Sequence, residues 1–158
     1  MKIIQLTQNK VTLVDDEDFD ELSKYSWQYD NGYASRRTLA EEGGKRQTRI
    51  WMHRLIANTP DGFFTDHKNH NKLDNRKANL RTCTHSQNKA NITRNSNNKS
   101  GYKGVYLRKS HNLWVAQITI NRKVTFLGYF RNPRDAAIRY NAAALKHFGE
   151  FAYLNQVP

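Results

Sequence analysis

A polar stretch between positions 66 and 88 combines side chains that could cut a phosphodiester bond. Asp66 and His67 put a carboxylate beside an imidazole, and Asn79 and Asn88 follow that imidazole by 12 and 21 residues. Hydrolysis of a phosphodiester needs an activated water and positive charge for the developing phosphorane. An imidazole titrates near neutrality, which suits a general base. The stretch therefore predicts one base next to one divalent metal.

The oxygen ligands of this stretch favour a hard cation. Asp66 and His67 are neighbours on a predicted strand, so their side chains point to opposite sides and Asp66 can bind a metal. Asn88, on a predicted helix, can supply a second oxygen. Two oxygen ligands without a thiolate leave positions for water and a substrate phosphate. We therefore expect Mg²⁺, with Mn²⁺ tolerated.

Three further polar residues of the stretch have alternative interpretations. Asn75 and Asn79 are expected to be structural, because amides can satisfy the backbone of a long irregular loop. His85 lies three residues before Asn88 on the same helical face and could touch phosphate. A capping or solvent-facing role for His85 is equally compatible with the sequence. For His67 the alternative is a structural histidine in a loop.

Two short strands and a helix are predicted to position these residues. The strands are expected at residues 63–67 and 80–83. Residues 68–77 between them hold too many amides and charges for a core element. Thr84 or Ser86 can cap the helix that follows. This strand-loop-strand-helix unit would gather the carboxylate, the imidazole and the amides.

The residues before this unit predict a small, mostly β-stranded lead-in. Residues 3–14 have the composition of two short strands, and residues 15–24 favour a short helix with acidic residues at its N-terminal end. Residues 27–34 suggest more strand, and residues 41–45, with two glycines, predict a loop. Residues 50–57 have helical apolar spacing.

The clearest boundary in the chain lies at residues 91–100. Their composition shifts to Asn, Ser, Thr, Arg and Lys without apolar periodicity. Ten extended residues span on the order of 30 Å, so a linker carrying Arg94 and Lys99 could follow a DNA groove. A simple flexible tether is the alternative interpretation.

Beyond the linker, three strand-like runs and one helix are predicted. The runs cover residues 105–108, 114–121 and 124–130. Asn132 can cap a helix and Pro133 suits its first turn, while alanines at regular spacing provide a small-residue face. We expect a three-stranded antiparallel sheet with one helix across its back. With the preceding units, the fold class is α+β.

The middle strand of this sheet separates two chemically different faces. Trp114, Ala116, Ile118 and Ile120 share the face expected to pack on the helix. The opposite face is polar, cationic and aromatic, and its predicted members are Tyr106, Arg108, Gln117, Thr119, Asn121, Arg122, Val124 and Phe126. Such a face can enter the major groove of DNA, whereas the alternative is an ordinary solvated surface.

Composition and charge narrow the class of protein. With 158 residues and 37% hydrophobic content, two small units are favoured over one large core. Residues 91–158 carry 11 basic and 2 acidic side chains, which suits a polyanionic partner. The single cysteine, Cys83, excludes an intrachain disulfide and a multi-cysteine zinc site. No apolar run is long enough for a membrane span, so we expect an intracellular, cytoplasmic protein of phage or bacterial type.

The polar stretch resembles the HNH nuclease motif of phage-type homing endonucleases. The matching residues are Asp66-His67, Leu73-Asp74-Asn75-Arg76, Asn79-Leu80-Arg81 and Gln87-Asn88-Lys89-Ala90-Asn91. The resemblance implies a ββα-metal fold that cuts DNA with one divalent ion. His67 would be the base, Asp66 and Asn88 the metal ligands, and Asn79 the middle Asn, which bonds across the loop and so holds His67 in place. The final His of the motif's name is Asn88 here, as in a subgroup that also shares the upstream Met52-His53-Arg54-Leu55.

The C-terminal region is similar to the plant APETALA-two/ethylene-response-factor DNA-binding domain. The similarity rests on residues 100–105, 114–116, 127–130, Ala136-Ala137 and the small-residue helix that follows. In that family the sheet reads the major groove of double-stranded DNA. The residues that match its DNA-facing positions are Lys103, Tyr106, Arg108, Gln117, Thr119 and Phe126. Several differ from the plant pattern, so the target sequence does not carry over.

These observations predict a four-part chain with one leading function. The parts are a lead-in at 1–50, a nuclease unit at 51–93, a linker at 94–100 and a DNA-binding unit at 101–158. We expect a homing-type, site-specific DNA endonuclease that acts as a monomer without an evident protein partner and nicks one strand per active site. The alternatives are a DNA-binding regulator with an inactive nuclease unit and a nuclease without sequence preference, acting on DNA or RNA.

Overall fold

The structure, a computed structural model, describes residues 1–38 and 48–158. The chain forms two compact units, Met1–Thr84 and His85–Pro158, and the mixture of small sheets and helices confirms the α+β class. The loop predicted at residues 41–45 lies outside the described residues, and the predicted boundaries at 50, 93 and 100 stay predictions. None of the helices in the described ranges is long and apolar enough to cross a membrane.

The first unit begins with the predicted hairpin and helix. Strands β1 (Lys2–Gln5) and β2 (Val11–Val14) pair antiparallel. The turn between them contains Gln8 and Asn9 with φ angles of 62° and 54°, a conformation that amide-bearing residues tolerate better than most. Helix α1 (Asp16–Leu22) follows, with three acidic residues in its first turn, where they interact favourably with the helix dipole.

A three-stranded antiparallel sheet and a short helix come next. The strands are β3 (Gln28–Asp30), β4 (Tyr33–Arg37) and β5 (Arg49–Trp51), in the order β3-β4-β5. Helix α2 covers Met52–Ile56. The helical prediction is wrong for Ile50 and Trp51, which pair with β4 instead. Backbone pairing within the sheet overrides an apolar spacing that fits either element.

The predicted pair of strands forms the end of the first unit. Strands β6 (Phe64–His67) and β7 (Leu80–Cys83) are antiparallel, with Asp66 opposite Arg81 and His67 opposite Leu80. The connecting loop ends in a 3-10 turn at Lys77–Asn79. Contrary to expectation, part of this polar loop belongs to the core, since Asp74 and Asn75 are 1% and 0% exposed.

The apolar core of the first unit joins the lead-in to this loop. Its buried members are Ile4, Leu6, Val14, Leu22, Trp27, Ala34 and Met52, and Leu73 of the loop packs against them. The loop backbone is also paired with β2, because Leu13 N donates to Leu73 O and Asn75 N donates to Leu13 O, at 2.8 and 2.9 Å. The N-terminal hairpin therefore supports the polar loop directly.

The second unit contains helix α3 (His85–Asn91) and the predicted sheet. The strands β8 (Val105–Arg108), β9 (Leu113–Ile120) and β10 (Lys123–Phe130) lie in the order β10-β9-β8, all antiparallel. Asn121 and Arg122 form the two-residue turn between β9 and β10, both with positive φ. A β-bulge shifts the register between Phe126 and Gly128.

Helix α4 (Pro133–Phe148) packs across the back of the sheet as predicted. The Asn132 side chain caps it by accepting a 2.8 Å hydrogen bond from Asp135 N, and Gly149 ends it with a φ of 53°. The buried residues between helix and sheet form two adjoining clusters: Ile118 with Ala90, Tyr140, Ala143, Ala144 and Phe148, and Ala116 with Val105, Ala136 and Ala137. The small helical side chains allow this close approach.

Candidate functional site

Asp66 and His67 lie at the end of β6 and are both buried, at 6% and 5% exposure. Arg81, directly opposite Asp66 on β7, donates from Nε and Nη2 to Asp66 Oδ2 at 2.9 and 2.8 Å. The carboxylate is therefore placed by the strand register and oriented by a charge-assisted contact. Sequence analysis did not single out Arg81 for this role, because cross-strand partners depend on the register.

The imidazole of His67 is held from the loop by Asn75. His67 Nε2 lies 3.1 Å from Asn75 Oδ1, and both side chains are buried. The Asn79 carboxamide instead spans the loop, donating to Asp74 O at 2.7 Å and accepting from Asn69 N at 3.0 Å. Asn79 was expected to hold His67 in place by bonding across the loop, and that expectation stays a prediction. The direct contact with His67 comes from Asn75.

A cluster of rings surrounds His67 in the first unit. The ring centroid of His53 lies 5.3 Å from that of His67, and Tyr33 lies 5.0 Å from His53 and 6.0 Å from His67. Trp51 also faces His53, at 6.1 Å. Lys72 Nζ sits 4.3 Å above the centroid of the Tyr33 ring. The sequence signal for this cluster was limited to the upstream Met52-His53-Arg54-Leu55 segment, which contains His53.

Burial lowers the pKa of both imidazoles of the cluster, which favours their neutral form. For His67, burial lowers the pKa below its usual value, although the contact with Asn75 and the charges of Asp66 and Asp74 oppose this shift. For His53, burial, His67 and the nearby cations lower the pKa to about 3. A neutral imidazole can accept a proton near pH 7, which is the property required of a general base.

The loop that presents Asn75 is fixed by ion pairs and hydrogen bonds. Arg76 donates from Nε and Nη2 to the two oxygens of Asp74, each at 2.7 Å, and holds the pKa of that carboxyl below its usual range. Lys77 reaches α1, with its backbone N 2.7 Å from Asp15 Oδ2 and its ammonium 2.6 Å from Glu17. Asp15 and Glu17 of the lead-in thus hold the end of the loop at Lys77.

The two predicted metal ligands belong to different units. Asp66 lies in the first unit, and Asn88 lies on α3 at the start of the second. Within residues 1–38 and 48–158 no group of three or more His, Cys, Asp or Glu side chains could hold a metal ion. A carboxylate and an amide are both hard oxygen donors, a type of ligand that suits a hard divalent cation.

The residues predicted to contact DNA fall into three structural groups. Tyr106, Arg108, Gln117, Thr119 and Phe126 lie on the sheet face opposite α4, as register with β9 shows. Arg122 lies in the β9-β10 turn, and Arg94 and Lys99 lie between α3 and β8.

Lys103 differs from the other predicted DNA contacts in its surroundings. Its ammonium donates to the carbonyl oxygens of Lys89, Ala90 and Ile92, at 3.2, 2.6 and 2.5 Å. Burial lowers its pKa to about 8. Its charge therefore satisfies the carbonyls at the end of α3.

Tyr129 lies on the sheet face opposite α4, although strict alternation from Phe126 would put it on the other face. The bulge after Phe126 brings Tyr129 opposite Val115, on the same face as Gln117. The rings of Phe126 and Tyr129 lie 4.9 Å apart, and Arg108 donates to the Tyr129 hydroxyl. Sequence reasoning missed Tyr129 because a bulge cannot be seen in a regular two-residue period.

Comparison with known proteins identifies relatives of this chain. A family model described as HNH endonuclease matches residues 51–90. An uncharacterised HNH endonuclease of Acanthamoeba polyphaga mimivirus is 33% identical over 139 residues, covering 86% of this chain and 70% of the relative. An ethylene-responsive transcription factor of Arabidopsis thaliana is 46% identical over 56 residues, covering 34% of this chain and 30% of the relative. No solved structure matches.

The long match to the mimivirus protein extends well beyond the segment of the family model. It covers more than two thirds of each protein, so the two share more than an isolated motif. Within the matched segment, Asp66 and His67 occupy the buried end of β6 beside Asn75. The chain therefore belongs to the HNH endonuclease family.

Proposed function

We propose that this HNH endonuclease is a site-specific enzyme of the homing type that hydrolyses one phosphodiester of double-stranded DNA. The observation that carries the proposal is the buried imidazole of His67, held at Nε2 by Asn75 next to the Asp66 carboxylate. A general base needs a fixed orientation and a free lone pair, and this arrangement supplies the first.

The reaction is assigned to the residues as follows. His67 takes the proton of the attacking water while the water oxygen forms a bond to phosphorus. The bond from phosphorus to the 3′ oxygen breaks, and that oxygen takes a proton from solvent, which leaves 5′-phosphate and 3′-hydroxyl ends. Arg81 fixes the Asp66 carboxylate during this step.

HNH nucleases generally use a divalent metal, and we propose Mg²⁺ with Mn²⁺ as a substitute. Asp66 and Asn88 would hold it. When bound, it would supply positive charge for the scissile phosphate and the leaving oxygen. The hard oxygen donors support this choice.

The second unit is proposed to choose the cleavage site. Its sheet presents the aromatic and polar face of Tyr106, Gln117, Thr119 and Phe126, with Arg108 held at its edge by Tyr129. The region carries 11 basic and 2 acidic residues from position 91 onward, which favours a DNA backbone. The similarity of a 56-residue part of this chain to an ethylene-responsive transcription factor supports the presence of a DNA-reading unit.

We further propose a monomer in the cytoplasm that nicks one strand per encounter, because one catalytic site per chain cuts one strand at a time. Clean double-strand breaks at limiting enzyme, with no nicked intermediate, would contradict the monomer.

The test is a cleavage assay on randomised DNA with Mg²⁺, with Mn²⁺ and with chelator, comparing wild type, His67→Ala and His147→Ala. His147 is exposed on α4 and serves as the matched control. We expect cleavage of a defined sequence by wild type and control, and DNA binding without cleavage by His67→Ala. Binding without cleavage by the wild type would favour a regulator, and cleavage at all sequences would favour a nonspecific nuclease.

A further inference from the structure

A buried chain of hydrogen bonds runs from the N-terminal strand β2 to the imidazole of His67. Asn75 Nδ2 donates to Thr12 Oγ1 at 2.7 Å, and Thr12 Oγ1 donates to Leu73 O at 2.8 Å. At its other end, Asn75 Oδ1 lies 3.1 Å from His67 Nε2. Thr12 and Asn75 are both 0% exposed, so water does not compete for these groups.

The direction of each hydrogen bond in this series follows from the acceptor at its start, Leu73 O. A carbonyl oxygen only accepts, so the one hydroxyl hydrogen of Thr12 points to Leu73 O. Thr12 Oγ1 must then accept, which turns the NH₂ group of Asn75 toward Thr12. The Asn75 oxygen therefore faces His67 and can only accept from it.

The contact with Met52 supports the same orientation of the amide. Asn75 Nδ2 lies 3.5 Å from Met52 Sδ, and Met52 is fully buried. A thioether sulfur accepts weakly and cannot donate. Both neighbours of the Asn75 nitrogen, Thr12 Oγ1 and Met52 Sδ, therefore require a donor at that position.

We propose that Thr12 is a positioning residue that sets the tautomer of His67. An acceptor at Nε2 keeps the proton on that nitrogen, so Nδ1 carries the lone pair. That Nδ1 is the atom that takes the proton of water rests on the proposed function, whereas the tautomer itself does not. The lead-in thereby contributes to the site from 55 residues upstream of His67.

The backbone of β2 reinforces the role of Thr12. The two hydrogen bonds between Leu13 and the segment 73–75 hold the Asn75 backbone at a fixed distance from β2. The Thr12 hydroxyl is the stronger of the two acceptors at the Asn75 nitrogen, because the thioether of Met52 accepts only weakly. Removing the hydroxyl should leave the fold in place and let the amide rotate by half a turn.

The test compares Thr12→Val, which removes the hydroxyl at nearly constant volume, with Thr12→Ser, which keeps it. The matched control is Thr38→Val, because Thr38 is another buried threonine. Its hydroxyl oxygen accepts from Thr48 N and takes no part in the hydrogen bonds that link Thr12, Asn75 and His67. The primary readout is the ¹⁵N NMR spectrum of the His67 imidazole in metal-free protein at neutral pH. The second readout is the cleavage rate at saturating DNA.

We expect the Nε2-protonated tautomer in wild type, Thr12→Ser and Thr38→Val. In Thr12→Val the Nδ1-protonated form should appear, because a rotated Asn75 donates to Nε2. The cleavage rate of Thr12→Val should fall by about tenfold to 100-fold, with DNA affinity unchanged.

The proposal is overturned by an Nδ1-protonated His67 in the wild type, a result that needs no variant to fold. It is also overturned by an unchanged imidazole spectrum in folded Thr12→Val, or by Thr12→Ser behaving like Thr12→Val. A wild type that shows the expected tautomer but cuts no DNA would refute the proposed function and leave the role of Thr12 in the tautomer standing.

Discussion

Arg81 and Asp66 face each other across β7 and β6 and form an ion pair in which both side chains are largely buried. The exposed fractions are 11% for Arg81 and 7% for Asp66, and the contact distance is 2.8 Å. A buried carboxylate that loses its partner keeps the cost of desolvation without the attraction that offset it. The pair therefore links the stability of the first unit to the geometry of its candidate site.

Arg81→Met should lower the free energy of unfolding by about 3 kcal/mol. Urea unfolding followed by tryptophan fluorescence measures this change. Arg37→Met, on the exposed end of β4, is the control and should change stability by less than about 0.5 kcal/mol. Equal losses in the two variants would show that the Arg81 pair contributes nothing specific.

The buried His53 should make stability depend on pH. Its pKa is lowered to about 3 in the folded protein, so on acidification the unfolded chain takes up this proton first, from about pH 6.5 downward. The stability that the neutral ring contributes is present above pH 6.5 and is lost as the pH falls toward 3. Between pH 7 and pH 4.5 the loss from this residue is about 2 to 3 kcal/mol.

His53→Phe should remove this part of the pH dependence. Its unfolding free energy should match or exceed that of wild type at pH 7, because no hydrogen-bond partner for His53 Nδ1 exists in the described parts of the chain. Urea unfolding at pH 7 and pH 4.5 gives the comparison, with the exposed His147→Phe as control. Parallel losses in His53→Phe and wild type would mean that His53 is protonated in the folded state.

Gly104 should be intolerant of any side chain. Its φ is +74°, and a Cβ there would lie 2.2 Å from Tyr140 Cδ2 and 2.6 Å from Gln117 O. Gly104→Ala should therefore cost more than about 3 kcal/mol in thermal or urea unfolding. Gly101 has a similar φ of +82° with nothing within 4 Å, so Gly101→Ala should cost only about 1 to 2 kcal/mol. Both variants carry the cost of a positive φ, so the difference between their losses of unfolding free energy measures the steric clash at Gly104.

Arg108 should contribute to DNA binding through the exposed sheet face. Arg108→Ala should weaken duplex binding by about tenfold. It should also lower by about one the number of counterions released on binding, which the slope of log affinity against log salt concentration measures. Arg139, exposed on the outer side of α4, provides a control of equal charge change. Fluorescence anisotropy at several salt concentrations measures the DNA affinity of both variants. An equal loss of affinity in both would show that net charge, and not this face of the sheet, governs binding.

Tyr129→Phe should produce a smaller loss at the same face. It removes the hydroxyl that accepts from Arg108 but keeps the ring 4.9 Å from Phe126. Affinity should fall about threefold, since one hydrogen bond contributes roughly 0.5 to 1.5 kcal/mol. The double variant with Arg108→Ala should be no weaker than Arg108→Ala alone. An additive loss would show that Tyr129 acts independently of Arg108.

Local sequence signals predicted the elements well where the chain is regular. The hairpin before α1, the strands around the polar loop and the Asn132 cap of α4 were all placed correctly. The local signals were wrong at Ile50 and Trp51, where the apolar spacing predicts a helix but the residues pair with β4. Short apolar segments fit either element, and the partner strand decides between them.

The sequence by itself determined the chemistry of this protein: a carboxylate next to an imidazole, amides downstream, and basic charge concentrated beyond residue 91. Only the tertiary structure decided which side chains act together. Asn75 contacts His67 directly, Asn79 bonds across the loop, and Thr12 orients Asn75 from 63 residues away. Residue type and local spacing are properties of the chain. Hydrogen-bond partners across elements depend on strand register and packing, which form only when distant segments meet.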